Sequence, residues 1–488
     1  MPASDTLETG TNRTVVRQFL ERHGLVFGSG SAVSGAEPEQ LLSDYLAEME
    51  KGLKAPGTGS LKMIPAYISP DKPFLRNQAT PVLDAGGTNL RCALITIPGS
   101  GPPLSEHYAK REMPALKAPL SSADFFAEIA DFVAPVLLEY YRRYQQAPPY
   151  LGFCFSYPTQ IVITDKGDLD GKLLQWSKEV KVPELVGRHV GRSLLKVLGQ
   201  KFGREQAPRH ICIINDTVAT LLAGRAAADD ADYTDFVGYI LGTGINSCHA
   251  EPKEVIAALD ERYRAERAIV NVESGNYSRF PQSSFDKEYN ALTQDPGAYL
   301  QEKASSGRYW GELVCIVLRG AAREGILPAD LENLPLQSSA AMNALLQHPG
   351  KPGHLGSIKL AAGIPPGFNG TFAAWLDEQG PKVADVNVRE RIYFLIEAVL
   401  ERSALFTAIN MAACILRSEG GTSPLNPVCL TVDGSTFYAL HRFSLRVRFW
   451  LDEILSEERG RKRYYRIKTV ENAPLLGAAI AALGFGQG

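Results

Sequence analysis

Four polar clusters each follow directly on a short apolar run. In an open α/β sheet that arrangement brings chemistry to the carboxyl ends of strands, where turns and helix starts leave backbone N–H groups facing a ligand. In the first cluster, Asp84-Ala-Gly-Gly-Thr-Asn89, Gly86 and Gly87 let the backbone approach phosphate oxygens with no Cβ in the way. Thr88 and Asn89 add hydrogen-bond donors, and Asp84 could hold a magnesium-bound water. Taken alone, the Gly-Gly pair reads better as a plain hairpin turn. The second cluster is Asn215-Asp216-Thr217. A carboxylate at a buried strand end is costly unless something pairs or uses it, and a desolvated one can take a proton from a substrate hydroxyl. The same residues also cap helices well. The third cluster, Gly242-Thr243-Gly244 followed by Asn246, is a second candidate phosphate turn, although a lone G-x-G is by default only a tight turn. The fourth, Asp433 followed by Gly434, Ser435 and Thr436, reads by itself as one more turn.

The elements that must position these clusters are legible in outline. Residues 38–53 place Leu41, Leu42, Tyr45, Leu46 and Met49 on one helical face. Residues 81–97 read as two extended runs around Gly-Gly, a hairpin. Phe125–Tyr144 is a long periodic helix, followed by an apolar strand at Tyr150–Phe155. A helix near 188–200 precedes a buried strand at His210–Ile214, and further strands are expected at Phe236–Leu241 and Val428–Val432. Residues 387–417 carry a long helical pattern, and 475–484 a closing helix. The Gly- and Pro-rich stretch 346–370 reads as a surface excursion. Strands alternating with helices give an α/β protein, and no repeat at a 20–50-residue period is visible.

A chain of 488 residues exceeds one small core and predicts two or more domain-sized lobes. Its 51 Lys and Arg against 54 Asp and Glu leave a charge of −3, which argues against a nucleic-acid or anionic-membrane partner. The basic cluster Arg459-Gly-Arg-Lys-Arg463 is short and reads as a solvated loop. None of the seven cysteines stands at C-x-x-C spacing, so buried reduced thiols are expected, and no His pair suggests a structural metal. The N-terminal residues lack the apolar core of a secretory signal, and no uninterrupted apolar run reaches the ~18 residues of a membrane span. A cytoplasmic protein is the expectation.

Two glycine–threonine turns and a strand-end Asp, without a lysine-bearing phosphate loop, resemble the sugar-kinase, actin and heat-shock ATPase superfamily. The order of motifs is similar to the eukaryotic-type hexokinases, including glucokinase, from about residue 38 to about 484. Leu83–Arg91 resembles that family's first phosphate turn, led in by Ser60–Ile68, and Gly152–Pro158 with Trp176–Glu179 resembles its sugar loop. Asn215–Val218 and Gly242–Asn246 follow at family spacing, then Pro296–Lys303 with Gly311–Val314. The resemblance implies two actin-like, ribonuclease H-like lobes of mixed sheet flanked by helices, with sugar and nucleotide in the cleft between them. The expected large lobe is 1–71 with 215–471, the small lobe 72–214 with 472–488.

The resemblance further implies that a hexose is held by Ser156, Ser177, Lys178, Asn215, Asp216, Asn246, Glu273 and Glu302, with Asp216 as general base on its 6-hydroxyl. ATP would be held by Asp84, Gly86, Gly87, Thr88, Asn89, Gly242, Thr243, Gly244, Gly434, Ser435 and Thr436. Asp84 would hold Mg²⁺ through water, and Lys178 and Thr243 would balance charge on the transferring group. The chain would work as a monomer or homodimer and close on its sugar. Three departures stand out: Glu273-Ser-Gly in place of Glu-Trp-Gly, which predicts a looser loop; Ser177 in place of Thr; and Glu471–Ala479, with Pro474 and Leu475, in place of a glycine-rich adenosine turn. A non-catalytic sugar sensor of the same fold and an actin-like or chaperone-type ATPase are the rival readings.

Overall fold

The computed structural model describes residues 3–25, 38–176, 180–228, 233–336 and 385–485. The stretch 346–370 lies outside them. Among the described residues the strands, numbered in chain order, form two sheets. The first contains β2 (Ala79–Ala85), β3 (Asn89–Thr96), β4 (Leu104–Glu112), β5 (Tyr150–Phe155), β6 (Thr159–Ile163), β7 (Leu169–Leu173) and β8 (His210–Ile214), in the order β4-β3-β2-β5-β8-β7-β6. The second contains β1 (Ile64–Pro65), β9 (Asp235–Leu241), β10 (Ile245–Pro252), β11 (Arg267–Asn271), β12 (Val428–Asp433) and β13 (Tyr465–Lys468), in the order β1-β11-β10-β9-β12-β13.

Five strands of each sheet repeat one plan. In the first, β4, β3 and β2 pair antiparallel, and β5 and β8 continue in parallel. In the second, β11, β10 and β9 pair antiparallel, and β12 and β13 continue in parallel. The β2–β3 and β9–β10 hairpins therefore occupy equivalent places, and their turns are the Gly86 and Gly242 turns.

The helices are α1 (Ala3–Arg22), α2 (Pro38–Lys54), α3 (Ser122–Tyr144), α4 (Val190–Phe202), α5 (Asp216–Ala226), α6 (Ser284–Leu292), α7 (Leu300–Ser305), α8 (Trp310–Arg323), α9 (Val386–Arg417), α10 (Ser435–Ala439), α11 (Phe443–Ile454) and α12 (Ala473–Phe485). Each helix expected from periodicity is present, within a few residues of its expected ends. The Leu41, Leu42, Tyr45 and Met49 face of α2 is buried, while Leu46 is only half-buried. α9 is long and apolar enough to cross a membrane by length and composition, but 89% of its apolar window is buried as the central helix of the second core. The Arg402 guanidinium, inside that helix, forms a buried bidentate pair at 2.5 and 2.8 Å with Asp286, whose side chain also closes the capping box of α6 with the N-cap Ser283. All seven cysteines are buried as free thiols. The basic cluster is not merely solvated: Arg459 and Arg461 both pair with Glu39 at the start of α2.

The helix that presents Asp216 is held by close backbone approach on three sides. A Cβ on Gly477 of α12 would lie 2.1 Å from the Ala219 carbonyl oxygen, and one on Gly238 of β9 would lie 2.5 Å from that of Thr217. A Cβ on Gly224, within α5, would meet the Thr431 hydroxyl of β12 at 1.8 Å. Only glycine permits these contacts, so α5 is wedged between the second sheet and the C-terminal helix. That helix lies on the first sheet, where Gly152 of β5 meets the Ala478 carbonyl.

Candidate active site

Asn215 follows β8 and caps α5, its Oδ1 accepting the Thr217 N–H at 2.8 Å. The capping explanation of this pair therefore holds for Asn215. It does not hold for Asp216, whose carboxylate projects from the first turn, partly exposed, with a long 3.3 Å bond from the Thr217 hydroxyl. The Asp216 charge is felt widely: it contributes to raising the carboxyls of Asp84, Asp433 and Glu273. The ends of β2, β8, β11 and β12 thus meet in one acidic neighbourhood.

Asp84, at the end of β2, is 1% exposed. Burial pushes its carboxyl up to about 6, with the Arg91 guanidinium at 2.7 Å opposing and Asp216 adding to the rise. The Gly86 turn closes with the Gly86 N–H on the Asn89 carbonyl at 3.0 Å. It is braced by the Tyr157 hydroxyl on the Gly86 carbonyl at 2.8 Å and by the Met113 N–H on the Thr88 carbonyl at 2.9 Å. Thr88 is exposed at the tip, its hydroxyl accepting the Asn89 amide at 2.9 Å. Ser156, after β5, donates its N–H to the Ala85 carbonyl at 3.1 Å beside this turn.

The Gly242 turn is built in the same way, with the Gly242 N–H on the Gly244 carbonyl at 3.0 Å. The Gly242 carbonyl accepts the Gly307 N–H at 2.9 Å and the Thr436 hydroxyl at 2.8 Å; the Thr243 carbonyl accepts the Arg308 N–H at 3.1 Å and the Ser306 hydroxyl at 2.9 Å. With its carbonyl thus occupied, Thr243 stays exposed at the tip. Gly434 has φ 116°, and a Cβ there would sit 2.3 Å from the Leu241 carbonyl, so the Gly434–Thr436 turn lies directly against the Gly242 turn. The fourth cluster is therefore more than an isolated turn.

Beyond the turns, Asn246, Asn271, Glu273 and Glu302 converge. Asn246 Nδ2 donates to Asn271 Oδ1 at 2.8 Å and to Glu273 Oε1 at 3.3 Å, while its Oδ1 accepts the Glu273 N–H at 3.0 Å. Asn271 Nδ2 donates to Glu273 Oε1 at 2.8 Å. Burial raises the Glu273 carboxyl, the Asn271 amide opposes it and Asp216 adds to it. Glu273 holds φ 60°, a left-handed conformation uncommon away from glycine and typical of functional positions. Phe155, Tyr157, Asn215, Asn271 and Glu273 line a recess that also touches β1. Sequence alone offered no sign of Asn271 except its place two residues before Glu273, on the same face of an extended segment. Tyr157 sat inside a recognised motif without a role. Ser177 and Lys178 lie outside the described residues.

Two expectations change. The Glu273 loop is not loosened by Ser274: that residue is fully buried, accepting the Tyr45 hydroxyl at 3.1 Å and sharing a 2.6 Å bond with Ser247. Tyr45 packs edge-on to Tyr277 at 4.8 Å, so two tyrosine rings fill the space beside the small serine. At the C-terminal turn, Asn472 takes φ 53° and its carbonyl accepts the Leu475 and Leu476 N–H groups. Asparagine tolerates that conformation, and Pro474 falls in the first turn of α12, where a missing N–H costs nothing. A left-handed turn forms here without glycine.

The donor set suits a phosphate chain carrying Mg²⁺. Such an ion takes one or two carboxylates and completes its shell with phosphates and water. Asp84, at the end of β2 beside the Gly86 turn, is the carboxylate that would hold such an ion through water.

The paired hairpin turns, the repeated sheet plan and the capped strand-end carboxylate define the sugar-kinase class of actin-like fold. Residues 29–226 and 236–484 match the two hexokinase family models, and the chain belongs to the hexokinase family. It is 26% identical over 475 residues to Hexokinase-7 of Oryza sativa subsp. japonica, covering 93% of this chain and 95% of that one. It is likewise 26% identical over 531 residues to Glucokinase-1 of Saccharomyces cerevisiae, covering 98% and 99%. A solved structure of hexokinase from Schistosoma mansoni complexed with glucose superimposes with a TM-score of 0.72 at 25% identity, over 98% of this chain and 99% of that one.

Proposed function

We propose that the protein is an ATP-dependent hexokinase that phosphorylates the 6-hydroxyl of glucose, and of related hexoses, with Asp216 as general base. The observation that carries this reading is the placement of Asp216. It is a partly exposed carboxylate on a wedged helix, near enough to Asp84, Asp433 and Glu273 to raise all three. A carboxylate left partly open is placed to take the proton of a bound alcohol, as a general base must.

In this reading Asn215, Asn246, Glu273 and Glu302, with Ser156, Ser177 and Lys178, grip the sugar hydroxyls. Paired amides and carboxylates suit a ligand that offers only hydroxyls, and they reject an analogue lacking one, because a buried partner would be left unpaired. ATP with Mg²⁺ supplies the transferable phosphoryl group. The Gly86, Gly242 and Gly434 turns would cradle its phosphates with backbone N–H groups, Asp84 would hold the ion through water, and Lys178 and Thr243 would meet the transferring group. Asp216 takes the hydroxyl proton as the sugar oxygen bonds to phosphorus and ADP departs. Closure of a small lobe (72–214 with 472–488) onto a large one (1–71 with 215–471) would exclude water that could otherwise accept the phosphoryl group. The same reading makes it a cytoplasmic protein of glycolysis, monomeric or homodimeric.

ADP release by the purified protein, with and without a panel of hexoses, is the test. ADP formed only with hexose and Mg²⁺ supports the reading. Hexose binding without ADP would make the protein a sugar sensor, and ADP independent of hexose an ATPase of the actin or chaperone type.

A further inference from the structure

The acidic cluster and the phosphate turns leave a contact between the two sheets' sides unexplained. Gln175 Nε2 donates to the Tyr299 hydroxyl at 2.6 Å, joining the first sheet's side to the second's over 124 residues of sequence. Both ends are firmly seated. Beside Gln175, the Trp176 ring packs on Tyr157 at 4.9 Å and on Phe125 at 5.8 Å, and its Nε1 donates to the Val182 carbonyl at 2.6 Å. On the other side Tyr299 has φ 52° and stands at the head of α7, one turn before Glu302. The loop before it is tied down by buried Lys303, whose ammonium reaches Asn290 Oδ1, Thr293 Oγ1 and the Asp295 carbonyl at 2.7–3.0 Å. Burial raises the Tyr299 phenol, and the charges of Glu273, Glu302 and Asp295 add to the rise.

We propose that Tyr299 is a positioning residue that clasps the cleft shut over the sugar by holding Gln175. A bond between two rigid seats transmits position in a way that one between mobile loops cannot. Gln175 also lies two residues after β7 and beside the packed Trp176, so the clasp would fix that segment relative to Glu273 and Glu302. The Arg262–Asp165 contact at 3.1 Å is a poor substitute, since its carboxylate is fully exposed and screened. The proposal rests on the hexokinase reading for its kinetic consequence but not for its geometry.

The test uses the full chain with Tyr299→Phe, Gln175→Ala and the double variant. Loss of one exposed neutral hydrogen bond should raise the glucose KM by about five- to tenfold. Turnover should change less than twofold, and the double variant should be no worse than either single one. Small-angle scattering should show a larger radius of gyration for the ligand-free variants than for the unaltered protein. An unchanged KM, or single effects that multiply in the double variant, overturns the clasp. If the unaltered protein fails to phosphorylate any hexose, the functional reading falls; the scattering then decides alone, and equal radii overturn the clasp.

Discussion

Glu302 Oε2 accepts the Ile245 N–H at 3.1 Å, which fastens an expected sugar carboxylate to the base of an expected phosphate turn. A Cβ on Gly244 would fall 2.5 Å from that same oxygen. The two halves of the proposed chemistry thus share one contact. Whatever moves the turn moves the carboxylate.

Gly244→Ala should therefore act on affinity more than on stability. The clashing atom is the end of a flexible side chain, so Glu302 can swing aside at small cost while losing its bond to Ile245. We expect the hexose KM to rise about tenfold or more, with a denaturation midpoint shifted by less than about 1 kcal/mol. Parallel kinetics and urea unfolding check this. A destabilised variant with unchanged KM would contradict it.

Ser274 occupies a fully buried site between Tyr45 and Ser247. Restoring the bulky ring, Ser274→Trp, should overpack that site and cost about 1–3 kcal/mol. The smaller Ser274→Ala should cost about 1 kcal/mol by removing the bonds to Tyr45 and Ser247. Chemical denaturation of both variants is the check, and a tryptophan variant as stable as the parent would show that the space is not filled as described.

His249 and Glu251, two residues apart on one face of β10 and both buried, pair at 2.7 Å, and Arg417 engages Glu251 at 2.6 and 2.8 Å. Burial opposes the histidine's charge, but Cys414 and Glu251 carry it up to about 9, from an ordinary 6.5. A folded value above the unfolded one stabilises fully below pH 6.5 and is lost as pH rises through about 9. The stability gap between the parent and His249→Gln should therefore shrink across that interval in urea titrations. A gap that widens would reverse the assignment.

Local patterns carried much of this fold into the sequence. The two hairpins, the helix cores and the strand ends that bear Asp84, Asp216 and Asp433 follow from short-range periodicity and turn residues. The repeat of the sheet plan did not, because β2–β8 and β9–β13 share pairing geometry rather than spacing: different insertions separate their strands. Ser274 misled for a related reason. A small residue reads as a missing ring until Tyr45, from a helix more than two hundred residues earlier, is seen beside it. The turn at Asn472 was hidden because a left-handed residue there need not be glycine.

The central claim is that Asp216 removes the proton from the sugar hydroxyl. Asp216→Asn keeps the size of the side chain and the Asn215 cap, so glucose binding measured by calorimetry should stay within a few-fold of the parent. Single-turnover formation of glucose 6-phosphate should fall by about 10²–10⁴. Turnover within a factor of two of the parent, with the same glucose affinity, would contradict the account.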